Sequence, residues 1–387
     1  MTVHRARAAA LAAVLTAAAL SLTACGSAGS SAADTKAAGG KDAKTATSAA
    51  DFGGMDALVA AAKKEGNLHV ITLPRDWANY GELMDGFTAK YGIKIEDENP
   101  DGSSQDEINA IKSRKGQDRA PDVVDLGSAF ALSAAADGIL APYKVVDFDK
   151  IPASMKDANG QSYNDYGGYM AIGCDAKKVG TCPKTFADLL KPDYKGMVAL
   201  NGNPTKAGAA FGAVYAAALA NGGSLDNIQP GIDFFGKLKA NGNFNPVEAT
   251  PATIEKGETP ITVDWSYLSS GYADKFKDKG IDWQVSIPSD GSYAQYYNQA
   301  INKDAPHPAA ARLWEEYLYS TAGQNGFLKG YATPALFDSM KSANTLDATL
   351  VAKLPVIDKP FTTFPTQAQT DAAKKVVTEN WAKAIGG

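Results

Sequence analysis

Histidine and cysteine are scarce here, three of each in 387 residues. His4, His69 and His307 lie far apart, so there is no His-Glu-X-X-His zinc motif and no Cys-His nucleophile arrangement. A Gly-X-Ser-X-Gly elbow and a glycine-rich phosphate loop are also missing. These gaps argue against an enzyme and leave no cofactor motif. No run of Lys or Arg marks a nucleic-acid partner. No short internal repeat marks a solenoid. Beyond the first residues, no stretch reaches the ~20 apolar positions that a spanning helix needs.

What is present begins at the N-terminus. Arg5 and Arg7 precede an uncharged apolar stretch over 8–20, followed by Leu22-Thr23-Ala24-Cys25. This is the layout of an export signal over 1–24. A cysteine at that point resembles the lipobox of bacterial lipoproteins, which implies lipidation of Cys25 and an extracytoplasmic domain anchored to the cell membrane. Two or more acyl chains, at ~0.8 kcal/mol per buried methylene, hold a domain on a bilayer. Residues 26–50 are mostly Gly, Ser, Ala, Thr and Lys without a large apolar side chain; they read as a flexible tether. Without Arg5 and Arg7 the formal charge of −5 becomes −7. Cys174 and Cys182 then form an even pair in an exported chain and read as one disulfide, with two free thiols as the alternative. A metal is not expected, because no third ligand type lies near the cysteines and His69 and His307 are distant in sequence.

The remaining residues suit two lobes better than one core. Apolar periodicity predicts helices over 55–64, 80–91, 105–115, 206–221 (with Thr205 as N-cap), 230–240, 266–277, 308–321, 346–353 and 366–384. Strands are expected over 68–73, 93–95, 122–126, 169–172, 196–200, 261–264, 283–287 and 294–301. Such alternation is the pattern of an α/β fold.

Two segments carry a family resemblance. Leu58-Val59-Ala60-Ala61-Ala62-Lys63-Lys64-Glu65-Gly66-Asn67-Leu68 is similar to the start of iron(III)- and phosphonate-type binding proteins. Ala187-Asp188-Leu189-Leu190-Lys191-Pro192-Asp193-Tyr194-Lys195-Gly196 resembles a segment shared with spermidine/putrescine-binding proteins. The resemblance is to type II periplasmic binding proteins, the solute-capturing lipoproteins of ABC importers. It implies a two-lobed α/β fold, each lobe a mixed sheet flanked by helices, with a small solute in the cleft between them. It also implies permease subunits as partners and a monomeric chain. The expected organisation is lobe 1 over 51–170, lobe 2 over 171–290, a return to lobe 1 over 291–325 and C-terminal helices over 326–387. Segments 169–173 and 287–293 are candidate hinges, with Gly173 and Gly291 supplying wide backbone angles.

In such sheets the solute sits beyond the carboxyl ends of strands. Four stretches fit: Arg75, Asp76, Trp77 and Tyr80; Ser128 and Phe130; Thr205 and Lys206; Asp264, Trp265 and Tyr267. A fifth holds Tyr296 and Asn298. Aromatic walls with a carboxylate suit an organic cation. In the spermidine/putrescine-binding relatives, aromatic residues stand at positions matching Trp77 and Trp265, and an aromatic-X-Asp motif matches Tyr296 and Asn298, where the carboxylate has become an amide. Asp264 or Asp76 then supplies the charge. The competing reading of both tryptophans is packing at a lobe surface. Tyr296-Tyr297 is an iron-type pair in letters, but neighbours on a strand point to opposite faces. Arg75 and Lys206, the latter near a helix N-terminus, leave an anion or zwitterion open. A receptor for a membrane sensor or an exported hydrolase are readings of other classes.

Overall fold

The computed structural model describes residues 41–355, 357 and 363–386. The expected export signal and the lipidated Cys25 lie outside the described residues. Ten strands are present among them: β1 (Asn67–Ile71), β2 (Lys94–Glu98), β3 (Val123–Gly127), β4 (Leu140–Ala141), β5 (Tyr163–Asp175), β6 (Val198–Leu200), β7 (Ile261–Trp265), β8 (Trp283–Ser286), β9 (Ala294–Asn302) and β10 (Thr333–Pro334).

They build a two-lobed α/β fold with a cleft. In the first lobe β1 and β2 pair in parallel, and β3 and β4 pair antiparallel with β9. The amide of Asp122 donates to the His69 carbonyl at 2.8 Å, linking β1 to the start of β3. In the second lobe β6 runs parallel to β7, and β7 and β8 flank the later half of β5. β5 is shared: residues 163–169 pair with β9, and residues 170–175 pair with β7 and β8. β6 and β7 are buried along their whole length, which explains the apolar run of β6 and leaves Thr262 and Asp264 of β7 as buried polar groups.

The helix Gly208–Ala220 is the most deeply buried in the second lobe. Its alanines and glycines permit close approach: a Cβ on Gly231 of the neighbouring helix would fall 2.1 Å from the Val214 carbonyl oxygen. The helix starts later than its composition suggests. Its N-cap is Ala207, which supplies no side-chain bond. Thr205 instead turns back, its amide and hydroxyl donating to Asn203 Oδ1 at 2.9 and 2.8 Å. Local side-chain bonding by asparagine wins over helix extension there.

Two further expectations change. Residues 41–50 are not all tether: Ala43 and Ala46 are fully buried. The Arg312 guanidinium, itself buried, donates to the carbonyls of Ala46 at 2.8 Å and Lys44 at 2.9 Å. Composition hides this because the anchor is backbone oxygen held by a remote cation. Gly173 and Gly291 also differ from expectation, since neither takes a positive φ. Both are sites of close packing, with a Cβ falling 2.5 Å from the Trp283 ring and from the Ala216 carbonyl respectively. Cys174 and Cys182 form a disulfide.

Candidate functional site

Two adjoining cavities of about 290 and 380 Å³ share Pro74, Trp77, Asp101, Gly102, Asn201 and Glu248 on their walls. Their linings come from the carboxyl ends of β1, β3 and β6 and from helix starts in both lobes, as the rule for open α/β sheets requires. The lobes touch around this space. Lys275 Nζ lies 2.5 Å from Asp76 Oδ2, and the Gln105 amide donates to the Lys206 carbonyl at 3.3 Å. Gly127 meets Gly208, where a Cβ on either would lie within about 3.1 Å of the other's Cα.

The inner wall of the smaller cavity includes Trp77, Tyr297, Asp125 and Glu107. Trp77 Nε1 donates to Tyr166 Oη at 2.6 Å, and Tyr166 Oη donates to Asp125 Oδ2 at 2.7 Å. Tyr166 stacks on Tyr297 with an interplanar angle of 4°. The β5–β9 register shifts between Asn164 and Gly167. Such a bulge re-aims side chains, and Tyr166 sits inside it. Asp125 Oδ1 has no hydrogen-bond partner although the residue is only 5% exposed. Burial pushes the Asp125 carboxyl up to about 7. Beside it, Glu107 accepts the Asp125 amide at 2.9 Å, and burial, reinforced by the Asp125 charge, lifts its pKa far above the usual carboxylate range. An unmatched buried carboxylate is costly and favours a cation or donor at its free oxygen.

The rest of the lining is acidic too: Asp101, Asp106 and Glu248 stand against one lysine, Lys206. Asp106 is spent in the capping box of the helix Ser104–Ser113, accepting from the Ser103 amide at 3.0 Å. Lys206 is exposed near the uncapped start of the helix Gly208–Ala220.

Of the residues picked from sequence, Trp77, Lys206 and Asp76 line the cavities. The others do not. Trp265 is fully buried, stacks on Tyr267 at 6.4 Å and donates from Nε1 to Tyr297 Oη at 3.4 Å. Trp77 therefore does not face Trp265 across open space; Tyr267 and Tyr297 contact both rings. Tyr267 is 1% exposed. Asp264 is buried one layer behind Asn201, accepting its Nδ2 at 2.9 Å, and burial raises its pKa to about 7. Tyr80 is buried and donates to Asp165 Oδ2 at 3.0 Å. Arg75 pairs at the surface with Asp85 at 2.6 Å. Thr205 is held in its turn. Phe130 lies under the C-terminal helix, with Lys374 Nζ 4.2 Å from its ring centre. Ser128 and Asn298 bond each other at 2.9 Å.

Tyr296 and Tyr297 point to opposite faces, as strand geometry demands. Tyr296 lines a separate cavity with Tyr169 and Asp338, while Tyr297 enters the cleft. Sequence reasoning passed over Asp125, Glu107 and Tyr166, and weighed Tyr297 only as half of an iron-type pair. Two of them had a signal. Asp125 is a charge inside an apolar strand, and Glu107 shares a helix face with Ile111.

The family model described as bacterial extracellular solute-binding protein matches residues 118–360. No curated protein matches the chain by sequence. Among solved structures, the periplasmic binding protein AfuA from Actinobacillus pleuropneumoniae, with fructose-6-phosphate bound, superposes with a TM-score of 0.64 at 20% identity, covering 83% of this chain and 99% of its own. A ferric binding protein from Campylobacter jejuni gives 0.61 at 17% identity, covering 82% and 99%. A proposed spermidine/putrescine ABC transporter from Listeria monocytogenes gives 0.56 at 15% identity, covering 81% and 98%. At these identities the likeness is one of fold.

Proposed function

Because the chain belongs to the bacterial extracellular solute-binding protein family, we propose that it captures an organic cation of the polyamine kind and delivers it to the permease subunits of an ABC importer. Extracellular solute binding of the ABC-transport type is the family's role. The cation is our reading of the cleft, as is anchoring through a lipidated Cys25.

The observation that carries it is the buried Asp125 carboxylate, which lines a cavity walled by the rings of Trp77 and Tyr297 and whose Oδ1 has no hydrogen-bond partner. An ammonium group there satisfies a carboxylate that otherwise has one oxygen without a partner. A charge-assisted hydrogen bond of this sort contributes about 1.5–3 kcal/mol. Each ring face adds about 0.5–2 kcal/mol. Glu107, Asp101 and Glu248 suit a second ammonium or a longer chain. The Listeria monocytogenes protein, a proposed spermidine/putrescine ABC transporter, has the same fold.

Lys206 and the uncapped helix start at Gly208 favour a second reading, a solute that also carries an anionic group. Lys206 is exposed to water while Asp125 is buried, so the ammonium dominates. An iron site built on Tyr296 and Tyr297 is disfavoured because the two phenols leave the strand on opposite sides.

Calorimetric titration of the purified chain with putrescine, spermidine, choline, a phosphonate and iron(III) citrate tests the proposal. The expected result is saturable binding of an organic cation, weakened at least about tenfold in Asp125→Asn. Binding of the anionic compounds alone would overturn it.

A further inference from the structure

The two histidines that sequence left unconnected meet at the base of the first lobe, at the end away from the cleft. His69 is in β1, in register with Glu96 of β2. His307 is the N-cap of the helix Pro308–Leu318, and Asp122 immediately precedes β3. The imidazole rings of His69 and His307 stand 4.6 Å apart, edge to face. One ligand atom from each of His69, Asp122 and His307 lies within 4.8 Å of the other two.

We propose that this cluster is a binding site for one divalent transition-metal ion of the zinc, nickel or cobalt class, with Glu96 as the fourth ligand. His307 Nδ1 and Asp122 Oδ2 are 2.9 Å apart, and His69 Nε2 and Glu96 Oε2 are 3.6 Å apart. Ligands about 2.0–2.2 Å from a tetrahedral ion stand roughly 3.3 Å from one another, between these two spacings. Two imidazoles with two carboxylates suit such ions and not magnesium or calcium, which take all-oxygen sets. Two carboxylates balance a double positive charge when both rings are neutral.

The site has the support that a metal centre needs. Asp122 is completely buried, and its oxygens also accept the amides of His307 at 2.6 Å and His69 at 2.7 Å. It is thus fixed in place before any ion arrives. Glu96 is exposed, and its Oε1 is taken by Lys94 at 2.6 Å, leaving Oε2 toward His69. A recess of about 120 Å³ lined by His69, Glu96, Glu98, Arg114 and Arg119 opens on the His69 and Glu96 side of the cluster. Glu65 stands nearby, accepting the amides of Ala309 and Ala310 at about 3 Å. An ion here would tie β1, β2, the entry to β3 and one helix together, without touching the solute cavity. Its role is to brace the lobe.

The test uses the untagged full chain, stripped with a chelator. Zinc is titrated by calorimetry, cobalt by visible absorption, and unfolding temperature is read with and without zinc. The expected result is one ion per chain, a four-coordinate cobalt spectrum and a higher unfolding temperature with zinc. In His69→Ala and His307→Ala affinity falls at least about tenfold, while solute binding holds. Glu96→Gln changes an exposed residue and serves if the histidine variants fail to fold; it should weaken zinc several-fold. No stoichiometric binding by the wild type, or equal binding by the wild type and Glu96→Gln, overturns the proposal.

Discussion

Replacing Asp125 by Asn separates a cation site from every other reading of the cleft. Burial holds the Asp125 carboxyl at about 7, against an ordinary 3.8. Near neutral pH the solute-free protein therefore carries this group about half protonated. A cation binds the ionised form, so capture expels a proton and affinity rises with pH. Between pH 5 and 8 the ionised fraction climbs from ~1% to ~90%, so Kd should fall roughly 90-fold, about 2.7 kcal/mol. Glu107, raised by burial and by the Asp125 charge, extends the rise to higher pH. Stability of the solute-free protein moves the other way. Its folded pKa lies above the unfolded value, so between 3.8 and about 7 the folded state binds more protons and stability declines as pH rises. The Asn variant removes this contribution to both slopes. Titration calorimetry in buffers of different ionisation enthalpy counts the released proton directly. An affinity that is flat or falls with pH, or an Asn variant with the wild-type slope, would refute the reasoning.

Other outcomes follow from packing. Trp77→Ala removes a cavity wall and the bond to Tyr166, and should weaken cation binding roughly 10- to 100-fold with little loss of stability, as read by calorimetry and chemical unfolding. Trp265→Ala should do the reverse first: this ring is fully buried, and its loss costs about 3–5 kcal/mol in urea unfolding. Arg312→Ala leaves the carbonyls of Lys44 and Ala46 without their donor, and limited proteolysis should then cut residues 41–50 faster. Replacing both Cys174 and Cys182 by serine should lower stability by about 2–3 kcal/mol in non-reducing unfolding, and an unchanged midpoint would show that the loop needs no staple.

Much of the architecture was legible locally. Strand and helix alternation, the buried runs of β6 and β7, and the helix Tyr80–Tyr91 ending at Gly92 depend on side chains within one turn or one strand of each other. The position of the cleft was also readable, since it lies where strands end. Trp77 and Lys206, chosen on that ground, line the cavity.

Which residues line the cavities was not readable, because that depends on pairing between distant segments. Trp265 and Asp264 come at the end of a strand as a site residue should, yet β7 is an interior strand and the helix Gly208–Ala220 covers that face; a Cβ on Gly212 would lie 2.8 Å from the Trp265 ring. Asp125 reads as one charge in an apolar strand until a bulge far along the chain brings Tyr166 to it.

The chain's periodicity and turn residues determined the α/β class, and its composition disfavoured nucleic-acid binding. Only the tertiary structure decided that the Asp125 carboxylate lines the cavity with one oxygen unpartnered and that His69 stands beside His307. Local propensity acts over a few residues, whereas burial and charge pairing depend on neighbours that folding alone supplies.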